Sequence, residues 1–409
     1  MATSAEPYVR PVYLDNNATT RVDPAVVEVM LPFFSEQFGN ASSMHAFGAE
    51  VGGALQLARQ QVQALLGAEF DHEIVFTGGG TESDNTAILS ALETQGARNE
   101  IVTSVVEHPA VLTLCDWLEK SRGIKVHRIG VDAKGRLDID AYRKALGPKT
   151  AIASIMWANN ETGTIFPVEQ LAELAHEAGV LFHTDAVQAV GKVPIDLKNS
   201  EIDMLSLSGH KLHGPKGIGA LYVRRGVRLR PLIRGGHQER GRRAGTENAP
   251  AIIGLGKAAE LAQQWMAHES TEVRRLRDKL EQGIVARVPR CIVNGDPEQR
   301  LPNTTNIAFE FIEGEAILLL LNDAGIAASS GSACTSGSLE PSHVLRAMNI
   351  PYTAAHGSTR FSFSRENVEA DVDRVLEVVP GIIAKLRKLS PFWNEDAPAA
   401  EAEFNPTYA

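Results

Sequence analysis

The stretch SLSGHKLHGPKG, residues 206–217, sets Lys211 between two histidines, directly after an apolar run. A long cation gains nothing by burial and ordinarily extends to solvent. An amine used for imine chemistry is the exception, because it needs a lowered proton affinity and a tightly held backbone. Lys216 lies close by and competes for that role. Other reactive side chains recur in short polar stretches. GGGTESDN (78–85) carries Thr81, EHPAV (107–111) carries His108, NNETG (159–163) carries Asn160, and HTDAVQ (183–188) carries Asp185 and Gln188.

Each of these types suits one part of a single ligand. Backbone amides at a helix start, with the Thr81 hydroxyl, form an anion site fit for a phosphate. Glycines also serve ordinary tight turns, so that cluster alone decides nothing. His108 precedes a proline-started helix, where it can cover a flat aromatic ligand or move protons. A buried Asp185 needs a cationic partner, which a protonated pyridine nitrogen supplies. Asn160 offers an amide to a ring oxygen, and Ser208 and His210 stand beside Lys211. A phosphate site, a carboxylate for a ring nitrogen and an amine for an imine are the parts of a pyridoxal phosphate pocket. Lys211 is then the imine lysine, and Lys216, in a GPKG turn, serves structure or phosphate.

The elements that position these residues can be read from the apolar runs. EIVFT (73–77), IVTSVV (101–106), AIASIMWA (151–158), VLFHTDA (180–186), MLSLSG (204–209) and GALYVRR (219–225) read as buried strands. Helical patterns lie between several of them, at 82–92 and 168–179. The alternation predicts an α/β fold with a mostly parallel sheet covered by helices on both faces. Ligands bind such sheets beyond the carboxyl ends of the strands, where the polar stretches fall. A charged helix at 271–288 and a further one at 313–325 open a smaller α+β domain. The division expected is 19–262 for the large domain and 1–18 with 263–393 for the small one. The Ala-, Glu- and Pro-rich residues 394–409 read as a disordered tail.

Composition narrows the class further. The chain has 409 residues, 44% of them hydrophobic and 22% charged, which is ordinary for a soluble globular protein. Its net charge of −10 argues against general nucleic-acid binding. The longest aliphatic run, Ala316–Leu321, is too short to cross a bilayer, and the N-terminus lacks a secretory apolar segment. Three cysteines without metal-type spacing indicate a reducing cytoplasm and at least one free thiol. The arginine-rich segment 224–243 lacks interleaved aromatic residues for base stacking, so it reads as a border of a subunit interface.

The motifs YLDNNATT (13–20), GNASSMHAFG (39–48), TESDN, EHPAV, HTDAVQ, SGHKLHGPKG, RRAGTEN and GSACTS (331–336) follow one another in order along the chain. In this the sequence resembles the cysteine desulfurases of the class V aminotransferase family, and RGGHQERGRRAGTEN, ASSGSACTSGSLEPSH and IPYTAAHG resemble its nitrogen-fixation (NifS-type) branch. The resemblance implies pyridoxal phosphate fold type I, the aspartate-aminotransferase-like fold. It implies pyridoxal 5'-phosphate bound covalently by Lys211, with Asp185 on the pyridinium nitrogen and His108 over the ring. Asn160 and Gln188 would contact the ring oxygen. Gly80, Thr81, Ser208 and His210 would hold the phosphate, joined by Thr246 from the other subunit of a homodimer. Asn40 and Arg360 would clamp the substrate carboxylate, a task suited to a bidentate arginine. The reaction implied takes sulfur from L-cysteine, releases L-alanine and passes the sulfur to an iron–sulfur scaffold protein. The nearest rivals on the same fold are a selenocysteine lyase or a small aminotransferase.

The sulfur carrier is chosen among three thiols. Cys115 lies on an apolar helix face in LTLCDWL and Cys291 in a short strand, so both read as packing. Cys334 lies in AASSGSACTSGS (327–338), where small residues and glycines permit a long reach. A nucleophile that collects sulfur at the cofactor and carries it to a partner needs such a tether, and only its thiolate attacks. Cys334 is the expected persulfide cysteine, and by resemblance its persulfide would transiently ligate a cluster iron.

Overall fold

The computed structural model describes residues 10–330 and 341–394. Its strands are β1 (Val12–Tyr13), β2 (Ile74–Thr77), β3 (Glu100–Ser104), β4 (Lys125–Ile129), β5 (Thr150–Ser154), β6 (Leu181–Asp185), β7 (Met204–Ser208), β8 (Gly219–Val223), β9 (Cys291–Asn294), β10 (Thr304–Phe309), β11 (Ile326–Ala327) and β12 (Ser358–Ser362). A seven-stranded sheet has the order β2-β8-β7-β6-β5-β3-β4. Every residue of β5, β7 and β8 is buried, which is why these strands are legible as unbroken apolar runs.

Strands β7, β6, β5, β3 and β4 pair in parallel, whereas β8 is antiparallel to both of its neighbours. The connection from β7 to β8, residues 209–218, is too short for a helical crossover and so returns the chain antiparallel. That return loop contains Lys211. The edge strand β4, KVHRI, has no apolar run to announce it, since Lys125 is exposed and Val126, His127 and Arg128 are half-buried. Charged side chains on a sheet edge guard it against pairing with another chain.

The run at 151–158 leaves the ladder after Ser154, so the strand expected there is shorter than its apolar stretch. Ile155–Ala158 stay buried against the end of β6, where the Trp157 amide donates to the Asp185 carbonyl at 2.8 Å. The helices expected at 82–92, 168–179, 271–288 and 313–325 run Gly80–Thr94, Val168–Glu177, Arg274–Arg287 and Gly314–Asp323.

Helices Ala46–Leu66 and Ala249–His268 cover one face of the sheet, while Gly80–Thr94 and Pro109–Arg122 cover the other. A separate apolar cluster joins Val12 and Leu14 to helices Arg274–Arg287, Gly314–Asp323 and Glu369–Leu389. Around it lie the antiparallel sheet β12-β10-β9 and the parallel pair β1-β11. A wide helical turn, Glu269–Val273, links the helix of the first cluster to that of the second. No helix among the described residues is long and apolar enough to cross a membrane.

Candidate active site

The carboxyl ends of β2, β3, β5, β6 and β7 carry, in turn, the glycine turn at 78–81, His108, Asn160, Asp185 with Gln188, and Ser208 with Lys211. After β2 the chain turns at Gly79, whose φ of 151° and ψ of −178° favour glycine, straight into the helix Gly80–Thr94. A Cβ at Gly80 would meet the Val187 side chain at 2.7 Å and Ser208 Cβ at 3.8 Å. The helix start, Val187 and Ser208 therefore line one tight cradle, and the unpaired amides of the first helical turn suit an anion there. Thr81 is exposed at its rim.

Lys211 points back into the molecule. Its Nζ donates to the carbonyl of Asn17 and, at 2.7 Å, to that of Ala18. Burial, with the neighbouring cations Lys192 and Arg360, lowers its pKa to about 7, against the pull of Asp15 and Asp185. An amine in that state is available as a nucleophile near neutral pH. Lys216, by contrast, is exposed. Of the two lysines, Lys211 is the one turned inward with a lowered pKa.

Asp185 is buried, and desolvation raises its pKa, while the Val187 amide (2.9 Å to Oδ1), His108 and Lys211 oppose that rise. His108 caps the helix Pro109–Arg122 through Nδ1, which accepts from the Ala110 amide at 3.1 Å. Burial lowers the His108 pKa, with Asp185 acting the other way and Lys211 and His343 adding to it. These mutual effects place His108, Asp185 and Lys211 together. A buried carboxylate held above its ordinary range is suited to a ligand that brings its own cation, as a protonated pyridine does. The cradle and this carboxylate fit pyridoxal phosphate.

Around this centre are residues that the sequence reading did not single out. Asn17 lies in YLDNNATT; its carbonyl accepts from Lys211 and, at 3.0 Å, from Gln188 Nε2. Asp84 and Glu107 are fully buried near Asp185, and desolvation raises both, Glu107 to about 8. His183 is sealed between the Ser154 and Ser206 hydroxyls at 2.8 and 2.9 Å, and burial takes its pKa to about 3. His343 Nε2 lies 3.0 Å from the Glu107 carbonyl. Most of these lie inside the motifs quoted above, but nothing local in those motifs says which of their side chains meet, and only the fold brings them together.

Arg360 sits on β12 with 2% exposure; it pairs with Asp15 at 2.7 Å and donates to the Asn160 carbonyl at 2.9 Å. It thereby ties the small sheet to the end of β5. His210 Nδ1 meets the Thr19 hydroxyl at 3.1 Å, and burial with Lys211 nearby lowers its pKa to about 4. Asn40 is exposed, and its side chain accepts from the Ser42 amide at 2.9 Å, turned into its own loop. Thr246 is likewise exposed, beyond an Arg243–Glu82 pair at 3.0 Å that pins the arginine-rich segment to the helix Gly80–Thr94. Cys334 and the persulfide-linked iron expected on it lie outside the described residues. Ser329 and Arg360 exchange backbone hydrogen bonds, so the chain enters that segment beside Arg360. Cys115 is buried with its pKa pushed up to about 12, and burial raises Cys291 as well. Neither thiol is set up to form a thiolate.

Comparison with known proteins gives the family. The model of the family described as aminotransferase class-V matches residues 12–375. A cysteine desulfurase of Gluconacetobacter diazotrophicus is 80% identical over 398 residues, covering 97% of this chain and 99% of that protein. The cysteine desulfurase NifS of Azotobacter vinelandii is 67% identical over 399 residues, covering 97% and 99%. Among solved structures, a NifS-like protein superposes with a TM-score of 0.86 at 39% identity, covering 92% of this chain and all of that one. A structure described as SspA in complex with cysteine reaches 0.77 at 37% identity, over 87% of this chain and 100% of its own. The chain belongs to the aminotransferase class-V family, within its cysteine desulfurases.

Proposed function

We propose that Lys211 carries pyridoxal 5'-phosphate covalently and that Cys334 takes sulfur from L-cysteine as a persulfide, releasing L-alanine. The enzyme is a pyridoxal-phosphate-dependent cysteine desulfurase, and the finer assignments are our reading of the pocket. The observation that carries them is the half-buried Lys211 amine, brought to about 7 at the strand end it shares with Asp185 and His108. When bound, the cofactor supplies an electron sink for the substrate's α-carbon. Asp185 would hold the ring nitrogen's proton, Gly80, Thr81, Ser208 and His210 the phosphate, and Asn160 and Gln188 the ring oxygen. His108 would cover the ring and take part in proton transfer; with Nδ1 accepting from the Ala110 amide, its neutral ring carries the proton on Nε2. Arg360, with Asn40 swinging in from its loop, would fix the substrate carboxylate in place of Asp15. The Cys334 thiolate attacks the substrate sulfur; the S–S bond forms as the C–S bond breaks, and the carbon keeps the electron pair and gains a proton.

The same reading includes a homodimer with Thr246 completing the partner's phosphate site. Val27, Leu31, Phe34, Phe38, Met44 and Phe47 are all exposed along one N-terminal segment, an apolar surface that a second copy would cover. We place the physiological role in sulfur supply to an iron–sulfur scaffold, in a nitrogen-fixation setting, in the cytoplasm, with 19–262 as the cofactor domain and 1–18 with 263–393 as the smaller one. The test is incubation of the holoenzyme with L-cysteine, followed by alanine measurement and peptide mass spectrometry. Alanine with one extra sulfur on the Cys334 peptide is expected. Sulfur on Cys115 or Cys291 overturns the assignment, and a fully active monomer in sedimentation overturns the shared site.

A further inference from the structure

A second buried lysine lies directly behind the site and has no part in the chemistry above. Lys192 is 7% exposed and ends the turn that follows Asp185. It sits four positions after Gln188, so the turn stacks the two side chains. Its Nζ donates to the Gln188 carbonyl at 3.1 Å and to Gln188 Oε1 at 3.2 Å. On the other side of the amide, Gln188 Nε2 donates to the Asn17 carbonyl at 3.0 Å.

These contacts admit one orientation of the Gln188 amide. An ammonium only donates, so the atom facing Lys192 must be the oxygen; a carbonyl only accepts, so the atom facing Asn17 must be the nitrogen. The turn itself is clamped. Gly191 has φ of 78°, and a Cβ there would lie 2.6 Å from the Leu212 side chain, next to Lys211. A cavity of about 20 Å³, room for one water molecule, is lined by Lys192, Lys211, Glu269, His213, Arg365 and Trp265. Glu269 stands at the wide turn between the two helices, with a buried Oε2 that has no hydrogen-bond partner. Burial lowers the Lys192 pKa to about 8, with Glu269 opposing the shift, so the carboxylate helps keep the ammonium charged.

We propose that Lys192 is a positioning residue for the cofactor site: by holding the Gln188 oxygen turned away, it leaves the second N–H of that amide, and not its oxygen, to face the ring oxygen. The inference rests on the reading that Gln188 contacts that oxygen. A ring oxygen that carries negative charge is stabilised by a donor and repelled by an amide oxygen, so the orientation bears directly on cofactor retention.

The test measures pyridoxal phosphate dissociation from the substrate-free holoenzyme, with the cofactor's visible band recorded in parallel. Lys192→Met is expected to raise the dissociation constant about tenfold, the scale of one charge-assisted hydrogen bond. It should also move the band in the same direction as Gln188→Leu. The double variant should lose about tenfold, no more than either single change, because both act through one amide. A loss near a hundredfold in the double variant, or an unchanged band in Lys192→Met, overturns the proposal while leaving the Gln188 contact standing. If Gln188→Leu alone changes neither readout, the Gln188 contact fails and the proposal falls with it. Thermal midpoints of the cofactor-free variants, expected to match the parent, separate a loss of positioning from a loss of fold.

Discussion

The carboxyl edge of the large sheet and the small three-stranded sheet treat buried charge in opposite ways. At the large sheet, Lys211 is pulled down to about 7 and Glu107 pushed up to about 8, and desolvation is the leading cause of both shifts. Around the small sheet, charges are matched. Arg300 holds Glu281 at 2.6 Å and Arg290 holds Glu310 at 2.8 Å. Burial alone would raise Glu281, yet hydrogen bonds from Arg300 and Thr305 keep it below the ordinary carboxylate range. Unmatched buried charge lowers stability and marks a place that awaits a ligand, whereas matched charge holds elements in register. Arg360 stands between the two cases: it is buried and paired with Asp15, and in the function proposed here that pairing would open to take a substrate carboxylate.

Substitutions at the two regions should therefore fail differently. Lys211→Ala is expected to cut alanine formation on the order of 10⁴-fold or more, as loss of a reacting group does, with the cofactor-free thermal midpoint unchanged or raised. Normal turnover in that variant would reverse the choice between Lys211 and Lys216. Asp185→Asn should lower turnover about 10²- to 10³-fold, in the range of a lost acid–base partner, again without unfolding the chain. Denaturant midpoints recorded beside the kinetics would expose the opposite pattern.

At the matched region, Arg300→Met should cost about 3 kcal/mol in urea unfolding, because it strands the Glu281 carboxylate, while turnover per folded molecule stays near the parent's. Glu281 is depressed in the folded state, so the stability it contributes is present above the ordinary carboxylate pKa and is lost as pH falls through the folded value. The stability gap between Arg300→Met and the parent should accordingly be full near neutral pH and narrow as pH falls, because Glu281 without Arg300 takes up a proton instead of standing as an unpaired charge.

A subtler difference is in titration. A neutral amine is the nucleophile and exists above its pKa, so the rate of cofactor capture by the cofactor-free chain should rise through pH about 7. A rise only near 10 would show that Lys211 is solvated like a surface lysine. The smallest effects belong to the packed thiols. Cys115→Ala should lose about 1 kcal/mol of stability and Cys291→Ala less, both with parental activity, read by thermal melts and alanine release.

Several features were open to inspection in the residues alone. The fully buried strands declare themselves as apolar runs, and β4 does not, because an edge strand bearing Lys125, His127 and Arg128 has no such run. Antiparallel β8 follows from the shortness of the 209–218 connection, a count that could have been made in advance. Asn17 and Asp84 lie inside quoted motifs and Lys192 outside them, yet none stands out as a site residue, since a motif does not say which of its side chains fold against a remote segment.

What the sequence determined by itself is which side chains stand at which strand ends, because turn glycines, prolines and apolar runs act over a few neighbouring residues. What only the tertiary structure decided is their chemical state. Lys211 meets the carbonyls of Asn17 and Ala18 from near the start of the chain, and Arg360 meets Asp15 across a still longer span. Proton affinity depends on desolvation and on charges a few ångströms away, and those distances exist only once remote segments have packed together.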